Sequence, residues 1–391
     1  MARLALLLLL SALAACSANS PDLGYYLQSV SGHFGLMAKA RSIDQLLAQG
    51  ELGEPLARRL RLAQKIRRFA SDELGLPDNG SYTRYADIAR PFAVWNVFAA
   101  PELSLELKRW CFPVAGCVSY RGYFQRDQAE RLASELRAGG WDVRLAGVPA
   151  YSTLGWFDDP LLSSFTDYPE PELARLIFHE LAHQVVYLKD DSTFNESFAT
   201  AVEEVGLQRW LAMRADPALN HQANLTSTRR QQFVALLHKH RSTLQQAYAR
   251  DSTPAEKRTA KREAFNALER DYQALKSGPW NGYAGFDRWF AAGVGNAHLA
   301  SVATYTTLVP AFLAILEQQG GEMGKFYAEV ARIAELDKPS LAHWRQTQLA
   351  VLRQTASRTA HEQAKPHSGI VGSGDSGSRG VSGQTGSAQR N

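Results

Sequence analysis

The stretch "HELAHQVVYLKDDSTFNESFATAVEEVG" (179–206) decides the fold that this chain is predicted to have. Two histidines, His179 and His183, stand four residues apart, with Glu180 between them. On a helix this spacing places both imidazoles on one face, where they can hold the same metal ion. Glu180 would lie about 100° around the helix from His179, beside the ion, and is predicted to be the general base. The alternative is an ordinary helix that contains two histidines.

Apolar side chains surround these three polar residues on almost every side. They are Leu173, Leu176, Ile177, Phe178, Leu181, Val185, Val186 and Leu188. Burying two imidazoles and a carboxylate costs free energy unless each group has a partner. The pattern therefore predicts a central helix whose polar side chains are paired.

A catalytic metal site needs a third protein ligand, and Glu196 is the candidate. It is predicted to open the next helix, and a turn through "KDDST" (189–193) can bring that helix back against the first. Thr193 and Glu196 also match a capping box, in which Glu196 would bind a backbone N–H instead. Glu203, two turns later on the same face, is an alternative ligand or orients a ligand histidine from outside the coordination shell. Two imidazoles and one carboxylate suit Zn²⁺.

The motifs "HELAHQ" and "NESFA" in this stretch resemble those of the gluzincin metallopeptidases. In that group an H-E-x-x-H helix is followed by a second helix whose glutamate is the third zinc ligand. The resemblance implies that His179, His183 and Glu196 bind Zn²⁺ and that Glu180 is the catalytic base. The connection between the second histidine and that glutamate is shorter here than in the aminopeptidase branch of the group.

Further segments resemble a family of predicted bacterial zinc aminopeptidases, and the likeness runs from about Tyr25 to Leu352. These segments are "SYTRYADIARPFAVWNVFAAPE" (81–102), "WCFPVAGCVSYRGYF" (110–124), "AYSTLGWFDDPLL" (150–162) and "NAHLASVATYTTLVPAF" (296–312). The resemblance implies a zinc peptidase, expected to be an aminopeptidase, whose substrate is a peptide.

In such a mechanism Glu180 takes a proton from the attacking water, and an oxyanion forms at the peptide carbonyl. A tyrosine or histidine commonly stabilises that oxyanion. Tyr305 and His298, seven residues apart in one predicted helix, are the nearest residues of suitable type, although two buried residues of an ordinary helix have the same spacing. Asp158 and Asp159 in "GWFDDP" are predicted to form a turn.

A second class of function stays open from the sequence. The same ligands would suit a structural metal site in a non-catalytic envelope lipoprotein that acts as a binding or assembly module. A fourth protein ligand such as Glu203 would favour that alternative, because a catalytic ion keeps one open position.

The first residues predict export from the cytoplasm. The segment "MARLALLLLLSALAAC" (1–16) has Arg3 followed by an apolar run that is too short to span a bilayer, which is typical of a secretory signal. Its end resembles the lipobox of bacterial lipoproteins, which implies cleavage before Cys16 and lipidation of that cysteine. Ser17 then implies the outer membrane, so the mature chain is expected to be lipid-anchored and to face the periplasm. The alternative is a soluble secreted protein.

Two further cysteines, Cys111 and Cys117, stand close together in "WCFPVAGC". An oxidising compartment favours a local disulfide between them. A free pair of thiols is one alternative. A zinc knuckle is the other, although the sequence has no second Cys/His pair nearby.

The pattern along the chain predicts an α+β, predominantly helical protein. A signal peptide (1–15) precedes a smaller mixed α/β N-terminal lobe (16–168), in which extended segments flank a crossover helix. Residues 169–355 are predicted to form a helical, zincin-like metallopeptidase lobe. Residues 229–279 are predicted to form a helical hairpin that projects from the body of this lobe, because charged residues dominate both arms. The second arm should begin with a capping box at Thr253. Residues 356–391, rich in glycine and serine, are predicted to be a disordered tail.

Composition limits the expected partners. The chain has 391 residues, of which 45% are hydrophobic and 21% charged, and its formal net charge is +4. This balance is ordinary for a globular protein and gives no reason to expect nucleic acid as a partner. The expected partners are a peptide substrate and the membrane that holds the lipid anchor.

Overall fold

The computed structural model of the chain describes residues 23–112, 116–291 and 293–363, with side chains described between 24 and 351. The chain is mostly helical with small sheets, which is the α+β class predicted from the sequence. The helices are α1 (Leu23–Met37), α2 (Ile43–Gln49), α3 (Glu54–Asp72), α4 (Arg126–Ala138), α5 (Ser163–Thr166), α6 (Glu170–Ala182), α7 (Ser192–Arg214), α8 (Pro217–Ala249), α9 (Pro254–Ser277), α10 (Asp287–Phe290), α11 (Asn296–Thr306), α12 (Val309–Gln318), α13 (Met323–Ala334) and α14 (Lys338–Gln363). The strands are β1 (Arg41–Ser42), β2 (Arg84–Ala86), β3 (Val94–Pro101), β4 (Trp110–Phe112), β5 (Gly116–Val118), β6 (Arg121–Tyr123), β7 (Trp141–Val148) and β8 (Leu161–Leu162).

The largest sheet has the strand order β6-β3-β7, with β3 antiparallel to both neighbours. Its β3–β7 pairing extends from Val94 opposite Val148 to Pro101 opposite Trp141. Strands β6 and β7 lie on opposite sides of β3 and run parallel to each other. Helix α4, which connects them along the chain, is therefore a crossover helix, as predicted. Short strands form a second sheet in the order β1-β2-β8.

The β4–β5 hairpin carries the two predicted disulfide cysteines. Cys111 and Cys117 are direct partners across the hairpin and are joined by a disulfide. The hairpin is held against the loop between α6 and α7, because the Cys117 N–H donates to Asp190 Oδ1 at 2.6 Å and Arg109 donates to the Asp190 carbonyl at 2.7 Å. Gly116 is required here: its φ is +72°, and a β-carbon would lie 2.4 Å from Asp190 Oδ1.

Helices α6 and α7 pack against each other at the centre of the helical part, and α7 also packs on α11 and α12. Helix α6 has Pro171 and two acidic residues in its first turn, which favour a helix start. Nearly all its residues from Leu173 to Ala182 are buried. The two helices approach closely at Gly206 of α7, which faces the Phe178 ring of α6.

The helical hairpin is formed by α8 and α9, and its predicted capping box at Thr253 is present. The prediction that the hairpin projects is wrong. Arg258 pairs with Glu102 at 2.8 Å, and Lys261 pairs with Asp142 at 2.8 Å, so α9 is fixed to the end of the β3–β7 pair. The charged residues occupy the outer faces, while a stripe of apolar residues is buried beneath them. On α8 that stripe contains Ala223, Phe233, Leu236, Leu237, Leu244 and Ala247.

The predicted domain limits are only partly within the described residues. The signal peptide (1–15) and Cys16 lie outside them, as does the tail beyond Gln363, whereas 356–363 continue α14. One compact unit ends at Gln348 and a second begins at Leu349. The boundary between 168 and 169 stays a prediction.

Helices α11 and α12 together form a long apolar stretch, Asn296–Gln318. Among the residues with a described structure, it alone is long and apolar enough to cross a membrane, and most of it is buried inside the fold. Buried core helices have the same length and composition, so this stretch is only a weak indication of a membrane span.

We expect Gly206→Ala to lower the free energy of unfolding by roughly 1 to 3 kcal/mol. A β-carbon at this position would lie 2.7 Å from the Phe178 ring and 2.8 Å from Leu74, so the helices would have to separate. The higher helix propensity of alanine, about 1 kcal/mol, should not offset this overlap. Chemical denaturation measures the difference. Gly324→Ala in α13 is the control, because nothing lies within 4 Å of its position; equal losses in both variants would contradict the close contact.

Candidate metal centre

His179 and Glu180 lie in the last turn of α6, and His183 follows directly as its C-cap residue. All three are buried, with 7 to 8% of their surface exposed. The centroids of the two imidazole rings are 4.8 Å apart. The four-residue spacing therefore brings both rings to the same side of the helix, as the sequence predicts.

Glu196 faces the two histidines from α7. This helix begins with Asp191 as its N-cap, which accepts a hydrogen bond from the Phe194 N–H at 3.0 Å. Glu196 therefore lies inside the helix, where its Oε2 is 3.3 Å from His179 Nε2 and 3.6 Å from His183 Nε2. The capping-box alternative for Glu196 is wrong, because Asp191 rather than Thr193 is the N-cap of this helix.

We call His179, His183 and Glu196 the metal cluster. One donor atom from each residue lies within 4.8 Å of the other two. A tetrahedral ion with ligands at about 2.0 to 2.2 Å keeps its donors roughly 3.3 to 3.6 Å apart, which matches the two distances from Glu196 to the histidines. These residues fit a metal ion, as predicted.

Glu203 lies on the opposite side of the His179 ring. Its Oε2 is 3.0 Å from His179 Nδ1, which leaves Nε2 to face Glu196. The other oxygen, Oε1, lies 3.4 Å from Arg175 and 3.8 Å from Arg230. Of the two roles that the sequence leaves open for Glu203, this geometry supports the orientation of a ligand histidine rather than coordination.

The charges within the metal cluster are strongly coupled. Burial opposes ionisation of Glu196, but His183 and His179 hold the pKa of its carboxyl at about 2. Burial alone would lower the pKa of His179, yet hydrogen bonds to Glu196 and Glu203 raise it well above its ordinary value. Burial raises the pKa of Glu180, against the opposing effect of the two histidines. A bound metal would therefore replace a proton at the cluster, and Glu180 has a pKa shifted in the direction that suits a general base.

The neighbours of Glu196 in the "NES" motif fix α7 in place. Asn195 accepts a hydrogen bond from the Leu188 N–H at 2.7 Å and donates to the Leu188 carbonyl at 2.9 Å, which closes the loop between α6 and α7. Ser197 is fully buried, and its hydroxyl accepts a hydrogen bond from the Leu308 N–H at 3.2 Å. Glu196 is thus positioned from the α6 side by Asn195 and from the α11–α12 junction by Ser197.

Of the two predicted oxyanion donors, the structure brings Tyr305 to the metal cluster. Its ring lies 6.4 Å from the His179 ring, at an angle of 23°, and lines the same cavity. His298 lies in the first turn of α11, where its Nδ1 accepts a hydrogen bond from the Gly295 N–H at 3.1 Å and its ring packs on Trp289. His298 therefore caps its own helix and does not line the cavity.

Asp159 fixes the loop before β8 from a buried position. Its Oδ2 accepts a hydrogen bond from the Thr153 N–H at 2.9 Å, and its carbonyl accepts one from the Tyr82 N–H at 2.7 Å. Only 2% of its surface is exposed. Burial, with a smaller contribution from the nearby charge of Glu180, raises the pKa of Asp159 to about 7.

The metal cluster opens into a cavity of about 1200 Å³. Its walls come from α1, the β6-β3-β7 sheet, α6, α7, α8, the α11–α12 region and the loop before β8, and many of the lining residues are aromatic. The aromatic lining residues are Tyr25, Tyr26, Phe112, Tyr120, Phe124, Tyr151, Phe157, Tyr187 and Tyr305. Pockets for drug-sized ligands measure roughly 300 to 1,000 Å³. The cavity is therefore large enough for a short peptide.

Sequence reasoning missed several residues of this site. Arg175 precedes His179 by one helical turn, and a charged residue within the apolar run from Leu173 to Phe178 was the available signal. Arg230 in α8 and Tyr120 beside β6 reach the site only through tertiary packing, and no local spacing marks them. Arg144 is half-buried, lies close enough to Tyr305 to interact with it electrostatically, and donates to Ser301 Oγ at 2.5 Å.

Comparison with known proteins gives one family. A family model described as "Putative aminopeptidase" matches residues 24–345, which include the metal cluster and every wall of the cavity. No curated protein and no solved structure matches the chain.

We expect Asp159→Asn to make the protein more stable than the wild type at pH 8 but not at low pH. The folded carboxyl keeps its proton up to about pH 7, whereas the unfolded one loses it near pH 4, so wild-type stability falls as pH rises between these values. Relative to the wild type, the free energy of unfolding of the variant should therefore rise by roughly 2 to 4 kcal/mol between these two pH values. Denaturation at several pH values measures it, and the exposed Asp158→Asn is the control. If the free energy of unfolding changed with pH in the same way in the wild type and in Asp159→Asn, the raised pKa of Asp159 would be refuted.

Proposed function

Because the chain belongs to the family described as "Putative aminopeptidase", we propose that it is a zinc-dependent peptidase that cleaves residues from the amino terminus of peptides. The observation that carries this proposal is the metal cluster, whose three donors converge at the wall of a peptide-sized cavity. Glu180, a buried carboxylate with a raised pKa, lies in the same wall. The cavity thus combines a metal site, a base and space for a substrate.

Zinc is the metal that the donor set favours, because two imidazoles and one carboxylate with an open fourth position are typical of catalytic zinc. His179, His183 and Glu196 would hold the ion. When bound, zinc makes water more acidic and a peptide carbonyl more electrophilic. Glu203 is engaged by His179 Nδ1 and the arginines, so the geometry gives no support to a closed, purely structural site.

The chain's own residues would carry the proton transfers. Glu180 would accept a proton from the attacking water and return it to the leaving amine. The Tyr305 hydroxyl would donate a hydrogen bond to the oxyanion. Burial raises the pKa of Tyr305 well above its ordinary value, so this hydroxyl keeps its proton at neutral pH. His179 would stay oriented by Glu203 throughout.

We further propose that the protein works in the bacterial periplasm, attached to the outer membrane through a lipid on Cys16. The secretory signal and the lipobox-like "LAAC" support this location. The Cys111–Cys117 disulfide agrees with an oxidising compartment.

We expect the purified protein to contain about one zinc ion per chain. Glu196→Ala should lose the ion, because only two ligands remain. Glu203→Ala should keep it with about 10- to 100-fold lower affinity, because the ligand His179 is then less well oriented. Elemental analysis and chelator competition measure both effects. If Glu196→Ala bound zinc as tightly as the wild type, the third ligand would be a residue other than Glu196. If none of the three proteins contained zinc, the proposal of a zinc peptidase would be refuted.

We expect Glu180→Gln to retain zinc but to cleave aminoacyl substrates about a thousandfold more slowly. Tyr305→Phe should keep its KM and lose about a hundredfold in kcat, because it removes an oxyanion donor. Steady-state kinetics on peptides with a free amino terminus measure both changes. The same peptides with an acetylated amino terminus are the control. Equal cleavage of these blocked peptides would indicate an endopeptidase rather than an aminopeptidase. Full activity in Glu180→Gln would show that Glu180 is not the general base.

A further inference from the structure

An exposed apolar surface lies beside the cavity. We call it the outer patch, and its residues are Leu27, Val30 and Phe34 of α1 with Trp156 and Phe157 of the loop before β8. Their exposed fractions are 60%, 54%, 57%, 72% and 45%. Eight large hydrophobic side chains are exposed in the described part of the chain, and five of them are in this patch. Isolated exposed apolar residues are ordinary, but a cluster of this kind marks an interaction surface.

The patch is continuous between the helix and the loop. Leu27, Val30 and Phe34 are spaced by three and four residues, so they share one face of α1. The Phe34 and Phe157 rings lie 6.1 Å apart, and the Phe157 ring lies 4.6 Å from the ring of His33. Helix α1 contains no aspartate, glutamate, lysine or arginine.

Trp156 is held outward by a defined turn rather than by a loose loop. Leu154 and Gly155 both have positive φ, +57° and +80°. The Thr153 hydroxyl donates to the Phe157 carbonyl and accepts from the Phe157 N–H, both at 3.1 Å. The most exposed side chain of the patch is therefore presented by hydrogen-bonded backbone.

The other face of α1 lines the cavity through Tyr25, Tyr26, Ser29 and His33. His33 Nδ1 is 2.7 Å from the Tyr151 hydroxyl, and Gly32 lies against the Phe124 ring so closely that a β-carbon would be 2.3 Å from it. Helix α1 is therefore a wall with the cavity on one side and its exposed Leu27, Val30 and Phe34 face on another, and Phe157, which also lines the cavity, lies at the rim where the two surfaces meet.

We infer that the outer patch docks on a lipid bilayer, with Trp156 and Phe34 entering the interfacial region. Tryptophan, phenylalanine and leucine are residues that enter that region of a membrane, and α1 has no charged side chain to oppose their entry. The chain ahead of α1 agrees with this occupant. From Cys16 to Leu23 the backbone can span at most about 25 Å, so a lipid on Cys16 keeps α1 at the membrane surface.

Docking in this way places a wall of the cavity against lipid. The peptidase would then act on peptides held close to the membrane surface, and this consequence rests on the proposed function. The docking rests on the outer patch and on the proposed lipid at Cys16, and its test needs no peptidase activity.

The test places an environment-sensitive fluorophore on single cysteines in the mature protein, expressed with its own leader. The variants are Phe34→Cys and Trp156→Cys in the patch and Met213→Cys as the matched control, since Met213 is 53% exposed outside the patch. Unsubstituted protein carried through the labelling gives the background, and omitting reductant keeps Cys111 and Cys117 oxidised. Vesicles of phosphatidylethanolamine and phosphatidylglycerol are the lipid probe.

With vesicles, the labels at 34 and 156 should shift to the blue and be quenched by lipids that carry a spin label in the acyl chain, while the label at 213 should not respond. Equal responses at all three positions would overturn the inference. So would a blue shift at 34 and 156 that needs no vesicles and grows with protein concentration, because a second copy would then cover the patch. Unchanged circular dichroism shows that each labelled variant is folded.

Discussion

The structure depends on pairing the buried His179 ring through both of its nitrogens. Nε2 faces Glu196 and Nδ1 faces Glu203, and both carboxylates belong to α7. Because unpaired buried charges are costly, a displacement of α7 along α6 would break both contacts at once. One imidazole therefore sets the register between the two central helices, and Gly206 allows them to approach closely enough for it to do so.

The same pairing extends outward from the metal cluster to the helical hairpin. Glu203 shares its second oxygen between Arg175 of α6 and Arg230 of α8, and Arg230 also binds Glu172 at 2.5 Å. The buried carboxylate is thereby neutralised by two arginines. This network attaches α8 to the residues around the metal cluster, which is one reason why a hairpin rich in charged residues lies against the body instead of projecting from it.

The predictions that succeeded rest on short-range geometry, and those that failed needed long-range information. The spacing of His179 and His183 is a property of one helix and could be read directly. The role of Glu196 depended on whether α7 starts at Asp191 or Thr193, and several residues of that polar run are acceptable caps. His298 and Tyr305 share a helix face, but seven residues separate them by about 10 Å along the axis, so only one can reach the metal cluster.

The position of the site between two parts of the chain explains why so much of the sequence is needed to form it. The metal cluster alone requires only α6 and α7, but its cavity also requires α1 and the β6-β3-β7 sheet. The disulfide hairpin joins these parts, because the Cys117 N–H donates to Asp190 in the loop that connects α6 and α7. The family match over 24–345 covers these walls as well as the metal cluster.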